Sequence, residues 1–419
     1  MERSRSATYT PARSTPGTSL PHTIGRVPGR LMIRDLALAD GTSAQLQLGI
    51  AVVIEDGHIQ WLGPTEQADA AGAEVMDGGG ATLMPGMVDA HSHLSGPGGS
   101  HWIERFSDPL ETLQQVGRDN ARRLVHAGIL WARDVGAPTA GSRPVNLQLR
   151  DDLRDRAGQP YIRAAGTWLA KTGYLPITIG VDDGAGLLQA AMAQLDGGAD
   201  SVKIMLDAPA GDRTAPFSVD EVSRVVQAVH ARGNKITAHA TIADGARVAA
   251  AAGVDSIEHG FAIDADVARS MATNHVTLVS TLSVLASLET FARTTRIERF
   301  ASEAGQRRTA ERREQAFASV RTVRQAGVRI ATGSDFGGGS VRAGHLAWEV
   351  ELLVQAGLEP WEALAAATRH GGELLGEPHA GHLSTSAPAD FVLIHGDPLS
   401  DPAACWRVWA VFQHGARIA

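Results

Sequence analysis

The chain has 419 residues, 38 Lys and Arg against 46 Asp and Glu, and a formal net charge of −8. That length accommodates two or three domains, or one large barrel with an accessory unit. The acidic balance argues against a nucleic-acid-binding protein, no apolar run reaches the roughly 18 residues that cross a bilayer, and the single cysteine, Cys405, excludes an intrachain disulfide, a thiolate zinc cluster and a CxxC motif.

Any metal is therefore left to nitrogen and oxygen ligands, for which 16 histidines are available. Residues 1–26 are rich in Ser, Thr, Pro and Arg and lack the apolar core of a secretory signal, so they predict a disordered tail. From Leu31 to Met84 come short apolar runs with turn punctuation, among them LGIAVVIEDGHIQWLG with Asp56-Gly57 as a hairpin turn. The last forty or so residues repeat this style in ADFVLIHGDP and VWAVFQHG. A small composite β-sandwich domain from both chain ends, 27–86 with 378–419, is expected.

Between the ends, short β-like runs alternate with segments of helical period. The runs are Met87–His93, Ile129–Val135, Tyr161–Gly166, Ser201–Leu206, Lys235–Ala240, Ser256–His259, Thr277–Thr281 and Val328–Asp335. Val219–Arg232, with a stop marked by Gly233 and Asn234, and Pro360–Thr368 read as helices. Eight strands with interleaved helices predict an α/β protein, a (β/α)8 TIM barrel over residues 87–377. Leu282–Ala326 is the longest insertion, and its mixed charges predict a solvated helix pair, with a lid role open because it follows the seventh strand.

Barrel active sites lie where strands end and the following loops begin. His91 and His93 end the first strand, and residues two apart on a strand share a face, so both can approach one ion. Lys203 sits in the apolar fourth strand, where its charge would be costly unless neutralised, modified or paired. His239 ends the fifth strand, His259 the sixth and Asp335 the eighth. Each alone has a bland reading as a core residue, a surface residue or a helix cap; their coincidence at successive strand ends points to a metal site.

These residues, with Leu83-Met84-Pro85-Gly86-Met87-Val88-Asp89-Ala90-His91-Ser92-His93, Gly198-Ala199-Asp200-Ser201-Val202-Lys203-Ile204, Ala252-Gly253-Val254-Asp255-Ser256-Ile257-Glu258-His259-Gly260 and Ala387-Pro388-Ala389-Asp390-Phe391-Val392, give the chain its resemblance to a known family. It resembles the amidohydrolase superfamily of metal-dependent hydrolases, in particular the imidazolonepropionase-like and prolidase-like branch, over residues 29 to 416. The resemblance implies that His91, His93 and Asp335 bind one divalent metal ion and that His239 and His259 bind a second, most often zinc. Lys203 would be carboxylated by carbon dioxide and bridge the two. Catalysis would proceed by attack of a hydroxide shared between the metals, with Asp335 as proton shuttle. The mononuclear deaminase-like members carry a Glu a few residues after the fifth-strand histidine, whereas here Ala240-Thr241-Ile242-Ala243 follows His239, which favours a binuclear centre.

Candidate substrate-binding residues lie on loops: His101, Trp102, Trp168, Lys171 and Tyr174, with Lys171 able to meet a substrate carboxylate, and His345 as either a supporting contact or a helix-surface residue. Dipeptide-cleaving relatives usually carry a Gly-Gly-His-like segment after the third strand, and a tyrosine ahead of the fifth. Ala170-Lys171-Thr172-Gly173-Tyr174 and Phe217 depart from both. The resulting reading is a cytoplasmic hydrolase, expected to be a homo-oligomer, that acts on a small-molecule amide: an N-acyl amino acid, a dipeptide or a cyclic amide. A lactone, carbamate or phosphoester hydrolase is the alternative enzyme, and a metal-free scaffold the non-enzymatic one.

Overall fold

The computed structural model describes residues 29–154 and 156–419; the tail expected over residues 1–26 lies outside them. The first described segment forms strands β1 (Arg30–Leu38), β2 (Gln47–Glu55), β3 (His58–Pro64), β4 (Glu74–Asp77) and β5 (Thr82–Pro85). Asp56 and Gly57 make the two-residue turn from β2 to β3 with φ of 50° and 78°. This is the left-handed pair that matches the twist of a tight hairpin, and Asp-Gly adopts it at low cost.

The apolar runs that follow become β6 (Met87–Ser92), β7 (Ile129–Asp134), a short antiparallel hairpin of β8 (Thr139–Ala140) and β9 (Arg143–Pro144), then β10 (Tyr161–Ala164), β11 (Leu169–Lys171), β12 (Ile179–Val181), β13 (Ser201–Met205), β14 (Lys235–Ala240), β15 (Ser256–His259), β16 (Thr277–Ser280) and β17 (Ile330–Thr332). Apart from the hairpin these strands pair in parallel, as crossover helices require. They form two ladders, β10-β7-β6 and β12-β11-β13-β14-β15-β16-β17, so the closed ring expected from the sequence is not one continuous ladder. The break has a local cause: Gly166, at φ 74°, turns the third strand after Ala164, and it resumes as β11, which meets β13 at Leu169 and Ile204. At the other seam, Asp335 N–H donates to His91 O (2.8 Å) and His93 N–H to Phe336 O (3.0 Å), so the loop beyond β17 lies against the end of β6.

The remaining strands, β18 (Phe391–Ile394), β19 (Val408–Gln413) and β20 (Ala416–Arg417), join the first five in a single sheet ordered β20-β19-β18-β5-β1-β2-β3, with β4 on β1. Both chain ends contribute, as expected, but to one hydrogen-bonded sheet rather than to two facing ones. Its apolar side is packed by Ile33, Val52, Leu83, Phe391 and Phe412. Between the parallel strands, the Val219–Ala231 helix starts in a capping box of Ser218 and Glu221, and the insertion after β16 folds as helices Leu282–Ala292, Glu298–Ala301 and Glu303–Gln325. The long helix buries Ala316, Val320 and Val323 against the core, so one face is packed and only the other is solvated.

Asp255 ties β14 to the entry of β15: its carboxylate accepts from Ile236 N–H (2.8 Å), Lys235 Nζ (2.9 Å) and His230 Nε2 (2.9 Å). Burial opposes its ionisation, yet these donors hold its carboxyl below the ordinary value. A depressed carboxyl stabilises the fold above the ordinary carboxylate range and loses that contribution as pH falls through the depressed value. Asp255→Asn is therefore expected to cost about 2 kcal/mol at pH 7. The difference from the parent should shrink below about pH 4. Denaturant melts at several pH values test this, and a pH-independent difference would contradict it.

Candidate metal centre

Five strands deliver the six predicted residues into one cavity of about 420 Å³, lined by His91, His93, Lys203, His239, His259 and Asp335. His91 on β6 and His93 just beyond its end face the same way, their rings edge to face at 5.4 Å. Asp335 Oδ1 stands 3.4 Å from His91 Nε2 and 3.2 Å from His93 Nε2. Donor atoms of these three buried residues lie within 4.8 Å of one another, a grouping able to hold a metal ion. The His259 ring lies 4.7 Å from that of His91 and 4.6 Å from that of His239, so the second histidine pair adjoins the first group without entering that compact triad.

The backbone carries strain at two of these positions. Asp335 has φ 51° and His259 φ 69°, a region that side-chain-bearing residues enter at some cost and that clusters at functional sites. His259 is the last residue of β15 and Asp335 lies three residues beyond β17, and the left-handed turn aims each side chain inward as the strand leaves the sheet.

Each histidine is oriented through its other ring nitrogen. His91 Nδ1 meets Glu258 Oε2 at 2.5 Å, His93 Nδ1 meets Gly136 O at 2.8 Å, and His259 Nδ1 meets Thr281 Oγ1 at 2.8 Å, leaving each Nε2 available to the cavity. His239 is reversed: its Nε2 lies 3.2 Å from Asp207 Oδ2 and 3.4 Å from the Tyr174 hydroxyl, which leaves Nδ1 as the nitrogen it can offer. Burial, reinforced by the neighbouring His239 and His91, pushes His259 well below the usual histidine range, so it is neutral, the form that binds metal.

Lys203 is the most telling of the six. It is 1% exposed, and its Nζ has no hydrogen-bond partner among the described residues. Burial pulls its ammonium down to about 8 against the opposing charge of Glu258. A buried amine with no acceptor is costly to retain unless something absent from the polypeptide completes it.

Three of the six candidate pocket residues reach the cavity: Trp102, Trp168 and Tyr174. The others do not. Lys171 turns away along β11 and donates to Asp182 O, so it is not placed for a substrate carboxylate. His101 is exposed, immediately before the Trp102–Arg105 helix, and His345 precedes the Leu346–Ala356 helix with its ring against Trp406 at 5.2 Å. Phe217 is a core residue.

A family model described as the amidohydrolase family matches residues 82–415. The chain belongs to the amidohydrolase family. It is 31% identical over 380 residues to an uncharacterised protein of Mycobacterium tuberculosis, covering 89% of this chain and 91% of that one. Identity to the imidazolonepropionase of Anaeromyxobacter dehalogenans is 25% over 417 residues, covering 88% and 90%. Among solved structures, a Xaa-Pro dipeptidase with methionine bound in its active site superposes with a TM-score of 0.79 at 25% identity, over 93% of this chain and 99% of the other. This amidohydrolase is thus a hydrolase of the kind that acts on amide-like bonds of small molecules, and no helix among its described residues is long and apolar enough to cross a membrane.

The amidohydrolase site also contains residues that the sequence reading missed. Glu258 is fully buried, and its Oε1 accepts from Arg133 Nη2 (2.7 Å) and Ser256 Oγ (2.6 Å), while Oε2 fixes His91. Arg133 Nε in turn donates to Ala90 O (2.6 Å), so the pair grips β6 next to its ligands. Asp89 bridges to the loop carrying Asp335, accepting from Ser334 N–H (3.0 Å) and Ser334 Oγ (2.5 Å). Arg133-Asp134 inside an otherwise apolar strand was the available signal for the first network, and Glu258 directly before His259 the second.

Proposed function

We propose that this chain is a binuclear metal-dependent hydrolase that cleaves an amide-like C–N bond in an N-acyl amino acid, a dipeptide or a small cyclic amide. The observation that carries the reading is the unpartnered Lys203 Nζ, buried in one cavity with four histidines and Asp335. Its neutral amine can add to carbon dioxide: a C–N bond forms, a proton leaves, and the carbamate supplies two oxygens where the unmodified side chain has none. His91, His93 and Asp335 would hold one ion, His239 through Nδ1 and His259 through Nε2 the other, and carboxylated Lys203 would bridge them. Bound there, divalent ions such as zinc would polarise the scissile carbonyl and make water acidic enough to serve as nucleophile near neutral pH.

The chain's own groups supply the rest. Asp335 is held well below the usual carboxylate range; burial opposes this, but the charge of His91 and hydrogen bonds from His91 and His93 outweigh it, so Asp335 enters the reaction as a base. It is the proton shuttle in this proposal, taking the nucleophile's proton and delivering it to the leaving nitrogen. The Tyr174 hydroxyl is pushed above the usual tyrosine range by burial and by the charge of Asp207, so it stays protonated and can donate to a substrate oxygen. Trp102, Trp168 and Ile177 present apolar walls that exclude water and hold an apolar substituent. In the same reading, the two parallel ladders are a (β/α)8 barrel over residues 87–377, supported by the backbone bonds at both seams, and the described part of 27–86 with 378–419 forms the accessory domain.

Metal analysis and a substrate panel test the function. A full site should hold about two ions per chain. Chelation should abolish amide hydrolysis, and zinc or manganese should restore it. Turnover of lactones, carbamates or phosphoesters with all amides untouched would overturn the substrate class. Amide hydrolysis that survives complete metal removal would overturn the mechanism.

A further inference from the structure

The cavity of the metal centre continues into an outer chamber of about 730 Å³, and Tyr174, Phe261, Leu288, Phe300, Arg299 and Arg312 line both. The insertion after β16 thus supplies much of the wall between them. Arg213 and Arg308 add to the outer chamber, whose carboxylates are Asp207, Asp212 and Glu311. Two of these are already engaged: Asp207 accepts from His239 and Thr241, and Asp212 from Thr214 N–H within its own turn.

Neighbours on one helix make the contrast sharp. Arg313 is neutralised by Glu289 and Glu314, whereas Arg312, one residue earlier and facing the cavity, pairs with no carboxylate among the described residues. Arg299 is held at the mouth, donating through Nη2 to Ser100 O (2.8 Å), with its guanidinium 4.5 Å from the centre of the Phe300 ring. A guanidinium is always charged, and its fork of N–H donors fits a carboxylate with two parallel hydrogen bonds. On a chain of net charge −8, the four arginines of the outer chamber outnumber its three carboxylates, a small local excess of positive charge that would favour anions at the mouth.

We propose that Arg312 and Arg299 form an anion-binding subsite that selects amide substrates carrying a terminal carboxylate at a distance from the scissile bond. The substrate class is an elongated acyl peptide, its apolar group against Trp102 and Trp168 and its carboxylate at the junction of the two chambers. The position of the scissile bond rests on the amide-hydrolase reading above; the subsite itself rests on the arginines.

The test compares N-benzoyl-triglycine with its C-terminal carboxamide, titrated calorimetrically into the zinc-loaded Asp335→Asn protein. The free acid is expected to bind about tenfold more tightly or better, as loss of a charge-assisted bidentate contact implies. Arg312→Ala should collapse that preference, Arg312→Lys should recover part of it, and added salt should weaken the acid more than the amide. Both arginine side chains are exposed, so these replacements leave the core intact. Equal affinity of acid and amide, binding of neither at millimolar concentration, or a preference that survives Arg299→Ala with Arg312→Ala overturns the subsite. Hydrolysis by the parent protein is scored separately. Selective binding of the acid without cleavage of either probe would uphold the subsite and count against the amide reading, whereas cleavage of both with equal affinity would do the reverse.

Discussion

Asp335→Asn is expected to keep fold and metal while lowering kcat by about a thousandfold, the range associated with loss of a positioned general base. The substitution is unusually clean. Asp335 sits at φ 51°, and Asn occupies left-handed backbone as readily as Asp, so the strained turn beyond β17 survives. Asn keeps an oxygen that can face His91 and His93 but cannot accept and release a proton. The backbone N–H of residue 335 still donates to His91 O, so the seam with β6 is preserved. Saturation kinetics, metal analysis and a thermal melt separate the possibilities. A kcat within a few-fold of the parent would remove Asp335 as the shuttle, and loss of metal would mean that its role is chiefly as a ligand.

Lys203→Ala should act differently, lowering metal content from about two ions toward one and reducing kcat/KM by roughly a hundredfold or more. The mechanism begins with a buried Nζ that has no hydrogen-bond partner among the described residues. With its ammonium pulled down to about 8, a substantial neutral fraction exists near neutral pH to capture carbon dioxide. Truncation removes the bridge and leaves a space beside four histidines that a small carboxylate can enter. Millimolar formate, acetate or propionate should therefore restore part of the second metal and part of the activity. Parent protein grown with labelled bicarbonate should give a carbamate carbon resonance that disappears in the variant. Full metal occupancy in Lys203→Ala, or no carbamate signal in the metal-loaded parent, would refute the bridge. Lys203→Met, closer in volume, distinguishes loss of chemistry from loss of packing.

The strands were legible because parallel strands covered on both faces are written as continuous apolar runs, and Ser256–His259 and Lys235–Ala240 are bounded as expected. The seams were not, because they depend on backbone bonds made by loops, such as Asp335 N–H to His91 O, and on the turn at Gly166. Candidate ligands were legible because charged and imidazole side chains stand out at strand ends. The Arg133–Glu258 pair was not, since its partners are 125 residues apart and only the fold makes them neighbours. A buried ion pair is readable as two oddities in apolar strands, never as a contact. The insertion misled for a related reason. Alternating charge marks a solvated helix, but adjacent residues on a helix point about 100° apart, so Arg313 can meet Glu289 while Arg312 faces the cavity. Lys171 failed on strand alternation: Ala170 is buried, and Lys171 next to it faces outward.

The pairing of β5 with β18 bears on how the protein is made. Leu83 is in register with Leu393, and the Thr82 hydroxyl donates to Gly396 O across 314 residues of chain. At 5–20 residues per second, a ribosome completes that distance in roughly 15–60 s. Throughout that interval β5 has β1 on one side but lacks β18 on the other, and β5 leads within two residues into the strand that carries His91 and ends just before His93. The earliest candidate ligands to be synthesised thus follow a strand that one of the last segments to emerge completes. A stalled or prematurely terminated product carries the histidines beside a sheet that still lacks β18, β19 and β20.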